Sequence, residues 1–225
     1  MTKTVAIDGP AGAGKSSIAR RAAKALGFMY VDTGALYRAM AFHALESGVP
    51  PDAEEAVEAL LPGLSVELRF LEGEQHVFVN GVDVSEHIRT PEISMGASAI
   101  SALPCARAFL LELQRGFARQ FDVIMDGRDI GTVVLPHATL KVFLTASPEE
   151  RAMRRFLQLE ERVPYEEILA DIRTRDHNDA TRAIAPLKQA EDAVLVDTTG
   201  QTLEESVEQL TTLIRESLGG GAHVL

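Results

Sequence analysis

Apolar residues recur along the chain in short unbroken runs separated by helical stripes. Residues 4–7, 28–31, 122–125, 140–145 and 193–196 read as strands covered on both faces, the pattern of a parallel sheet held between helix layers. Between the first two runs, Ile18, Ala19, Ala22, Ala23 and Leu26 line one face of a helix over 15–26, and Gly27 follows as a helix-ending residue. Further helices are expected over about 35–46, over 91–101 and 104–119, each with Pro near its start, and over 202–218. In the last of these Leu203, Val207, Leu210, Ile214 and Leu218 align. Ser147, followed by Pro148 and Glu150, reads as a capping box. Strands alternating with crossover helices predict an α/β fold, a doubly wound five-stranded parallel sheet.

The period changes between about 52 and 92. A short helix over 53–61 gives way to strict alternation, with Leu64, Val66, Leu68 and Phe70 set against Ser65, Glu67 and Arg69. That is the pattern of a half-buried antiparallel strand. A turn at Gly73, a strand over 76–79, the hairpin signal Asn80-Gly81 and a strand over 82–84 complete a three-stranded antiparallel piece. The chain therefore reads as one domain over 1–225 with a small insert at about 50–92. Such an insert can move as a unit over a ligand. Gly219-Gly220-Gly221 reads as a disordered tail.

In a sheet of this kind ligands bind beyond the carboxyl ends of the strands, and the polar clusters of this chain fall there. The first strand runs into Gly9-Pro10-Ala11-Gly12-Ala13-Gly14-Lys15-Ser16, a full match to the phosphate-loop pattern G-x-x-x-x-G-K-[ST], with Ser17 behind it. Gly12 and Gly14 let the backbone wrap a phosphate, and the helix N-terminus beyond adds partial positive charge. Lys15 is placed to reach β- and γ-phosphates and the Ser16 hydroxyl to sit on Mg²⁺. The second strand ends in Asp32-Thr33-Gly34, with Tyr37-Arg38 one turn on. This is either an acceptor-phosphate anchor or a helix cap beside an exposed Arg. The third ends in Asp126-Gly127-Arg128-Asp129, two carboxylates and a guanidinium able to bind Mg²⁺ through water, a phosphate or a donor-rich base edge.

Charge narrows the partners. A net charge of −11 makes general binding to nucleic acid or a membrane surface unexpected, and no apolar run approaches membrane-spanning length. Yet 17 of the 22 basic residues are Arg, and seven of these lie within 151–182, where there is no Lys. Arg is favoured where planar, bidentate recognition of phosphate matters. The section 151–182, ending in Arg175-Asp176-His177-Asn178-Asp179-Ala180-Thr181-Arg182, reads as a lid that brings positive charge to a transferring phosphoryl group, or else as a salt-bridged surface helix. The single Cys105 permits no disulfide within the chain, and there is no secretory leader pattern, so a cytoplasmic setting is expected. The six His residues show no metal-ligand spacing. No general base stands out, which suits phosphoryl transfer to a phosphate, an acceptor already ionised.

The segments 7–17, Asp32-Thr33-Gly34-Ala35-Leu36-Tyr37-Arg38, Asp126-Gly127-Arg128-Asp129-Ile130-Gly131-Thr132-Val133-Val134 and Arg182-Ala183-Ile184-Ala185-Pro186-Leu187, in this order, resemble bacterial cytidylate kinases over nearly the whole chain. The resemblance implies transfer of the ATP γ-phosphate to CMP or dCMP with Mg²⁺; a monomer is expected. By motif, residues Gly9 to Ser17 hold ATP; Thr33 and Arg38 contact the acceptor, with Arg38 and Arg128 on its phosphate. It also implies that Ser98, Arg107 and Asp129 read cytosine and that Arg175, Asp179 and Arg182 take lid and sugar-contacting positions. Lys15, Arg128 and Arg182 would be the catalytic set. Thr33 stands where relatives carry Ser, and the lid segment around 160–165 is short. Competing readings are a small P-loop kinase for UMP or shikimate, and a GTP-hydrolysing regulatory protein. The second lacks an Asn-Lys-x-Asp guanine signature, and its only D-x-x-G string, Asp197-Thr198-Thr199-Gly200, falls far from the phosphate loop.

Overall fold

The apolar run at residues 4–7 becomes the middle strand of a parallel sheet. A computed structural model describes residues 2–71, 74–159 and 162–219. Along the chain lie β1 (Thr4–Asp8), α1 (Lys15–Leu26), β2 (Met29–Asp32), α2 (Thr33–Glu46), α3 (Glu54–Leu60), β3 (Val66–Leu71), β4 (Glu74–Val79) and β5 (Val82–Asp83). They are followed by α4 (Pro91–Ile100), α5 (Pro104–Gln120), β6 (Val123–Gly127), β7 (Leu140–Thr145), α6 (Pro148–Gln158), α7 (Tyr165–Thr181), β8 (Val194–Asp197) and α8 (Leu203–Gly219). The turn expected at Gly73, Glu160 and Glu161 of the short lid segment, and Gly220 and Gly221 of the expected tail lie outside the described residues. The contact pattern divides the chain into two units, Met1–Tyr30 with Ala118–Leu225, and Val31–Phe117.

The five-stranded sheet has the order β2-β6-β1-β7-β8. Parallel pairing sets Val5 against Ile124 and Leu140, and Val142 against Val194. The inward residues Val5, Ile7, Ile124, Val142 and Leu144 pack with Ile18, Ala19, Ala22 and Ala23 of α1 and with Leu210 and Ile214 of α8. These are the stripes the periodicity marked. Each large aliphatic buried there contributes roughly 1.5–3 kcal/mol before chain entropy is counted. The small alanines bring α1 close to the strands, which fixes the phosphate loop at its N-terminus.

The Arg-rich section folds as a helical pair, α6 and α7, around an apolar core of its own. Ala152, Ile168, Leu169 and Ile172 are buried, with Phe156, Leu159, Val163 and Tyr165 against them. Phe156 and Tyr165 meet edge to face at 6.3 Å. Its entry departs from a full capping box. Ser147 does cap α6 by accepting the Glu150 N–H at 3.1 Å. The returning arm is different: the Ser147 N–H donates to Thr199 Oγ1 at 2.9 Å, and Glu150 receives Arg154 Nε at 3.0 Å.

In the second unit the alternating segment forms the antiparallel sheet β3-β4-β5. Val66 faces Val79 and Leu68 faces Val77, which puts the apolar set on one face. Asn80 and Gly81 both take positive φ, +50° and +83°, as a two-residue hairpin of this type requires. Asn80 Oδ1 also accepts the Ser65 N–H at 2.8 Å. The helix expected from Ala35 begins two residues earlier, at Thr33. Asp32 caps it, accepting the Ala35 N–H at 3.0 Å, so Thr33 and Gly34 are already helical. Among the described residues no single helix is long and apolar enough to cross a membrane.

Candidate active site

The phosphate loop leaves β1 at Gly9, φ +153°, in a space where a Cβ would fall on the Leu144 carbonyl oxygen of β7. Gly12 and Gly14 follow at φ +75° and +85°, the conformation that turns consecutive N–H groups toward one concave side. Gly14 caps α1 without any side-chain bond, leaving the first-turn amides to an anion. Lys15 folds back over the loop, 6% exposed, its Nζ donating to Pro10 O at 2.7 Å. Burial, and then the like charge of Arg128, lowers its pKa from 10.5 to about 7, against the pull of Asp126, Asp179 and Asp8.

Ser16 and Asp126 form the next layer. The Ser16 hydroxyl donates to Asp126 Oδ2 at 2.8 Å, and the Tyr30 hydroxyl to Oδ1 at 3.1 Å. A hydroxyl and a buried carboxylate in contact are hard oxygen donors. They suit Mg²⁺, which uses one or two protein oxygens and keeps water on its other positions. No group of three or more His, Cys, Asp or Glu able to hold a metal occurs among the described residues.

After β6 the chain turns through Arg128 and Asp129 into a single π-turn, Ile130–Val134, which the sequence pattern did not announce. Arg128 Nε donates to Asp179 Oδ2 of α7 at 2.8 Å. Asp129 faces Arg182 at 3.6 Å, the two side chains 6% and 9% exposed. Arg182 Nε also donates to Ala185 O at 2.5 Å, a carbonyl presented by a left-handed residue, φ +47°. Partial desolvation, then the charge of Arg128, lowers the pKa of Arg175. Lys15, Arg128, Arg175 and Arg182 thus share one neighbourhood with Asp126, Asp129 and Asp179.

Two arginines absent from the sequence-based set brace this side. Arg151 is buried, its Nη1 on Ala11 O at 3.0 Å and its guanidinium paired with both oxygens of Asp176 at 2.9 and 2.6 Å. It ties the phosphate loop to α7. Arg154 donates to Thr198 O at 2.7 Å and, through Nε, to Glu150 Oε1 at 3.0 Å. The Arg density marked the section; which members reach the loop depends on the α6–α7 packing. The D-x-x-G string forms the turn after β8, where Asp197 Oδ1 accepts from the Thr199 N–H and hydroxyl. A carboxylate committed to its own turn is not a switch residue.

In the second unit the 32–38 segment forms a helix cap, with Arg38 paired to the capping residue and not exposed beside it. Asp32 caps α2 with Oδ1 and receives Arg38 Nη2 on Oδ2 at 2.8 Å. Thr33 is buried at the first turn. Gln75 of β4, unmarked in the sequence, accepts the Asp32 N–H at 2.8 Å and donates to Asp32 O at 3.3 Å, pinning the hairpin to this corner. Ser98 and Arg107 meet through Ser101, whose hydroxyl donates to Ser98 O at 2.8 Å and whose carbonyl receives Arg107 Nη1 at 3.1 Å. The Arg107 guanidinium lies 5.9 Å from the Tyr37 ring.

Comparison with known proteins gives this arrangement a family. A family model described as cytidylate kinase matches residues 5–216. The chain is 46% identical over 218 residues to the cytidylate kinase of Caldicellulosiruptor saccharolyticus, with 96% of each covered. It is 48% identical over 220 residues to that of Desulfitobacterium hafniense, covering 96% of this chain and 94% of the relative. Among solved structures, a gluconokinase from Sinorhizobium meliloti superposes with a TM-score of 0.50 at 16% identity, 98% of each chain being covered, a likeness of fold alone. With the match running from the first strand into the last helix, and with the phosphate loop, the strand-end carboxylates and the Arg-bearing helical pair in place, this chain belongs to the cytidylate kinase family.

Proposed function

We propose that this protein moves the γ-phosphoryl group of ATP onto the phosphate of CMP or dCMP, forming ADP and CDP or dCDP. The bond from the γ-phosphorus to the bridging oxygen of ADP breaks as an acceptor phosphate oxygen bonds to it. The observation that carries this reading is the gathering of Lys15, Arg128 and Arg182 beside a phosphate loop, the two arginines paired with carboxylates that a phosphate can replace and the buried ammonium under-compensated until an anion arrives. Two anions must be aligned and neutralised, and an ionised acceptor needs no base.

Residues Gly9 to Ser17 are assigned to ATP. Ser16 and Asp126 would hold Mg²⁺, which when bound neutralises charge on the β- and γ-phosphates. Arg38 and Arg128 are assigned to the acceptor phosphate and Thr33 to the acceptor nucleotide. In the free protein Asp32 and Asp179 keep the two arginines extended and oriented. Ser98 and Arg107 donate to ring acceptors of cytosine, and Asp129 accepts from the exocyclic amine, which uracil lacks. Arg175, Asp179 and Arg182 take the lid and sugar positions of helical segment 151–182, and the insert at about 50–92 serves the monophosphate. The protein acts as a monomer in the cytoplasm, a setting its single thiol suits.

Asp129→Ala tests the base assignment. The KM for CMP rises by about tenfold or more through the lost contact, while the Kd for ATP stays within about threefold. Equal losses for both ligands would move Asp129 to a metal or structural role. The reaction class is tested by ADP formation with and without acceptor, since a regulatory nucleotide hydrolase turns over equally in both.

The lowered Lys15 pKa sets a pH dependence. In the free protein the amine is half protonated near pH 7, and a bound polyphosphate favours the ammonium. Binding of Mg-ATP therefore takes up a proton near and above pH 7. Affinity is level below that pH and falls above it, by up to about tenfold per pH unit, until the pKa of the complex is reached. Calorimetry in buffers of different ionisation enthalpy reads the uptake directly; binding without it would contradict the assignment.

A further inference from the structure

Asp8 ends β1 and adjoins Gly9, the first residue of the phosphate loop, yet its side chain serves a distant segment. Oδ1 accepts the Ile130 N–H and Oδ2 the Gly131 N–H, each at 2.7 Å, and the residue is 4% exposed. These amides open the π-turn, and Asp129, the residue flanking it, makes no side-chain cap. At an ordinary helix start the flanking Asp would accept such amides itself. Here a carboxylate 122 residues earlier does so, and Asp129 is left facing Arg182.

We propose that Asp8 is a positioning residue, whose two-oxygen grip on the Ile130 and Gly131 amides fixes where Arg128 and Asp129 stand relative to the phosphate loop. The proposal rests on the reading of Arg128 and Asp129 as acceptor-side residues. Because Asp8 and Gly9 are adjacent, the donor loop and the acceptor-reading loop share one rigid joint. The space around it fits that use. A Cβ at Gly131 would lie 3.3 Å from Asp8 Oδ2 and 3.1 Å from Lys141 Cδ, so glycine admits the carboxylate to close range. Burial pushes the Asp8 carboxyl up to about 6 despite the two amide bonds that lower it. A buried charge is tolerated where its hydrogen bonds are made, and both bonds of Asp8 go to this turn.

The test is Asp8→Asn, which keeps the volume but turns an amide NH₂ toward one of the two N–H groups. Misplacing Arg128 and Asp129 lowers kcat/KM for CMP by about 10–100-fold. The Kd for ATP measured without acceptor stays within about threefold, and the far-UV spectrum is unchanged. Parallel losses for ATP and CMP, or unchanged kinetics, would overturn the proposal. If Asp8→Asn does not fold, Gly131→Ala, which crowds the same carboxylate from the other side, must give the same split or the proposal fails. Wild-type protein assayed alongside separates the two claims. Absence of CMP-dependent turnover there defeats the functional reading, whereas normal wild-type turnover with an unaffected variant defeats the positioning role alone.

Discussion

Lys15→Ala lowers turnover of ATP with CMP by about three powers of ten or more and leaves the thermal unfolding temperature unchanged or higher. The two halves have one physical cause. The ammonium sits in a buried pocket beside Arg128, and burial drives its pKa to about 7. The free protein therefore holds this cation at a cost, and removing it relieves a desolvated charge while leaving one acceptor, Pro10 O, without its partner. Under the proposed assignment, the benefit of the ammonium arises only when charge develops on the transferring phosphoryl group, in a site where water does not screen it. A variant with near-normal turnover would remove Lys15 from the chemistry. A variant that lost fold and turnover together would make it structural.

Gly9→Ala weakens ATP binding by about 100-fold or more and lowers stability by about 1–3 kcal/mol, the usual cost of overpacking. The new methyl would meet the Leu144 carbonyl oxygen, a backbone atom of β7. β7 lies inside the sheet, between β1 and β8, so the loop must move instead of the strand. Gly12→Ala is the control. Its Cβ would sit 3.5 Å from Arg151 Cβ, an ordinary contact, and it pays only for its φ of +75°, about 1–2 kcal/mol. Nucleotide titration and thermal unfolding of both variants check the ranking. If Gly9→Ala bound ATP like the wild type, or Gly12→Ala were the worse of the two, the close approach of loop and strand would not set the phosphate site.

What the sequence disclosed and what it withheld divide along one physical line. The phosphate loop, the stripes of α1 and α8, the alternation of β3 and the Asn80-Gly81 turn are local, and their periods or dihedral needs are written in adjacent residues. The strand-end clusters followed from the sheet class. The withheld features depend on contacts across the chain. Nothing near Asp8 marks it as the partner of Ile130 and Gly131, and nothing near Ser147 marks Thr199. Seven arginines between 151 and 182 looked alike as a run, yet packing of α6 on α7 sends Arg151 to Ala11 O and Asp176 while Arg173 pairs with Glu149 at the surface. The apolar pattern places the start of α2 at Ala35, whereas the Asp32 carboxylate, by capping the Ala35 N–H, makes Thr33 and Gly34 helical as well.

The most direct measurement is ADP formation from Mg-ATP with CMP, dCMP, UMP, AMP and shikimate offered in parallel. Phosphoryl transfer to CMP and dCMP, well ahead of the other three, is the expected result, and would support cytosine reading by Ser98, Arg107 and Asp129. A preference for UMP, AMP or shikimate would overturn that reading, and ADP formation indifferent to every acceptor would contradict the kinase reaction itself.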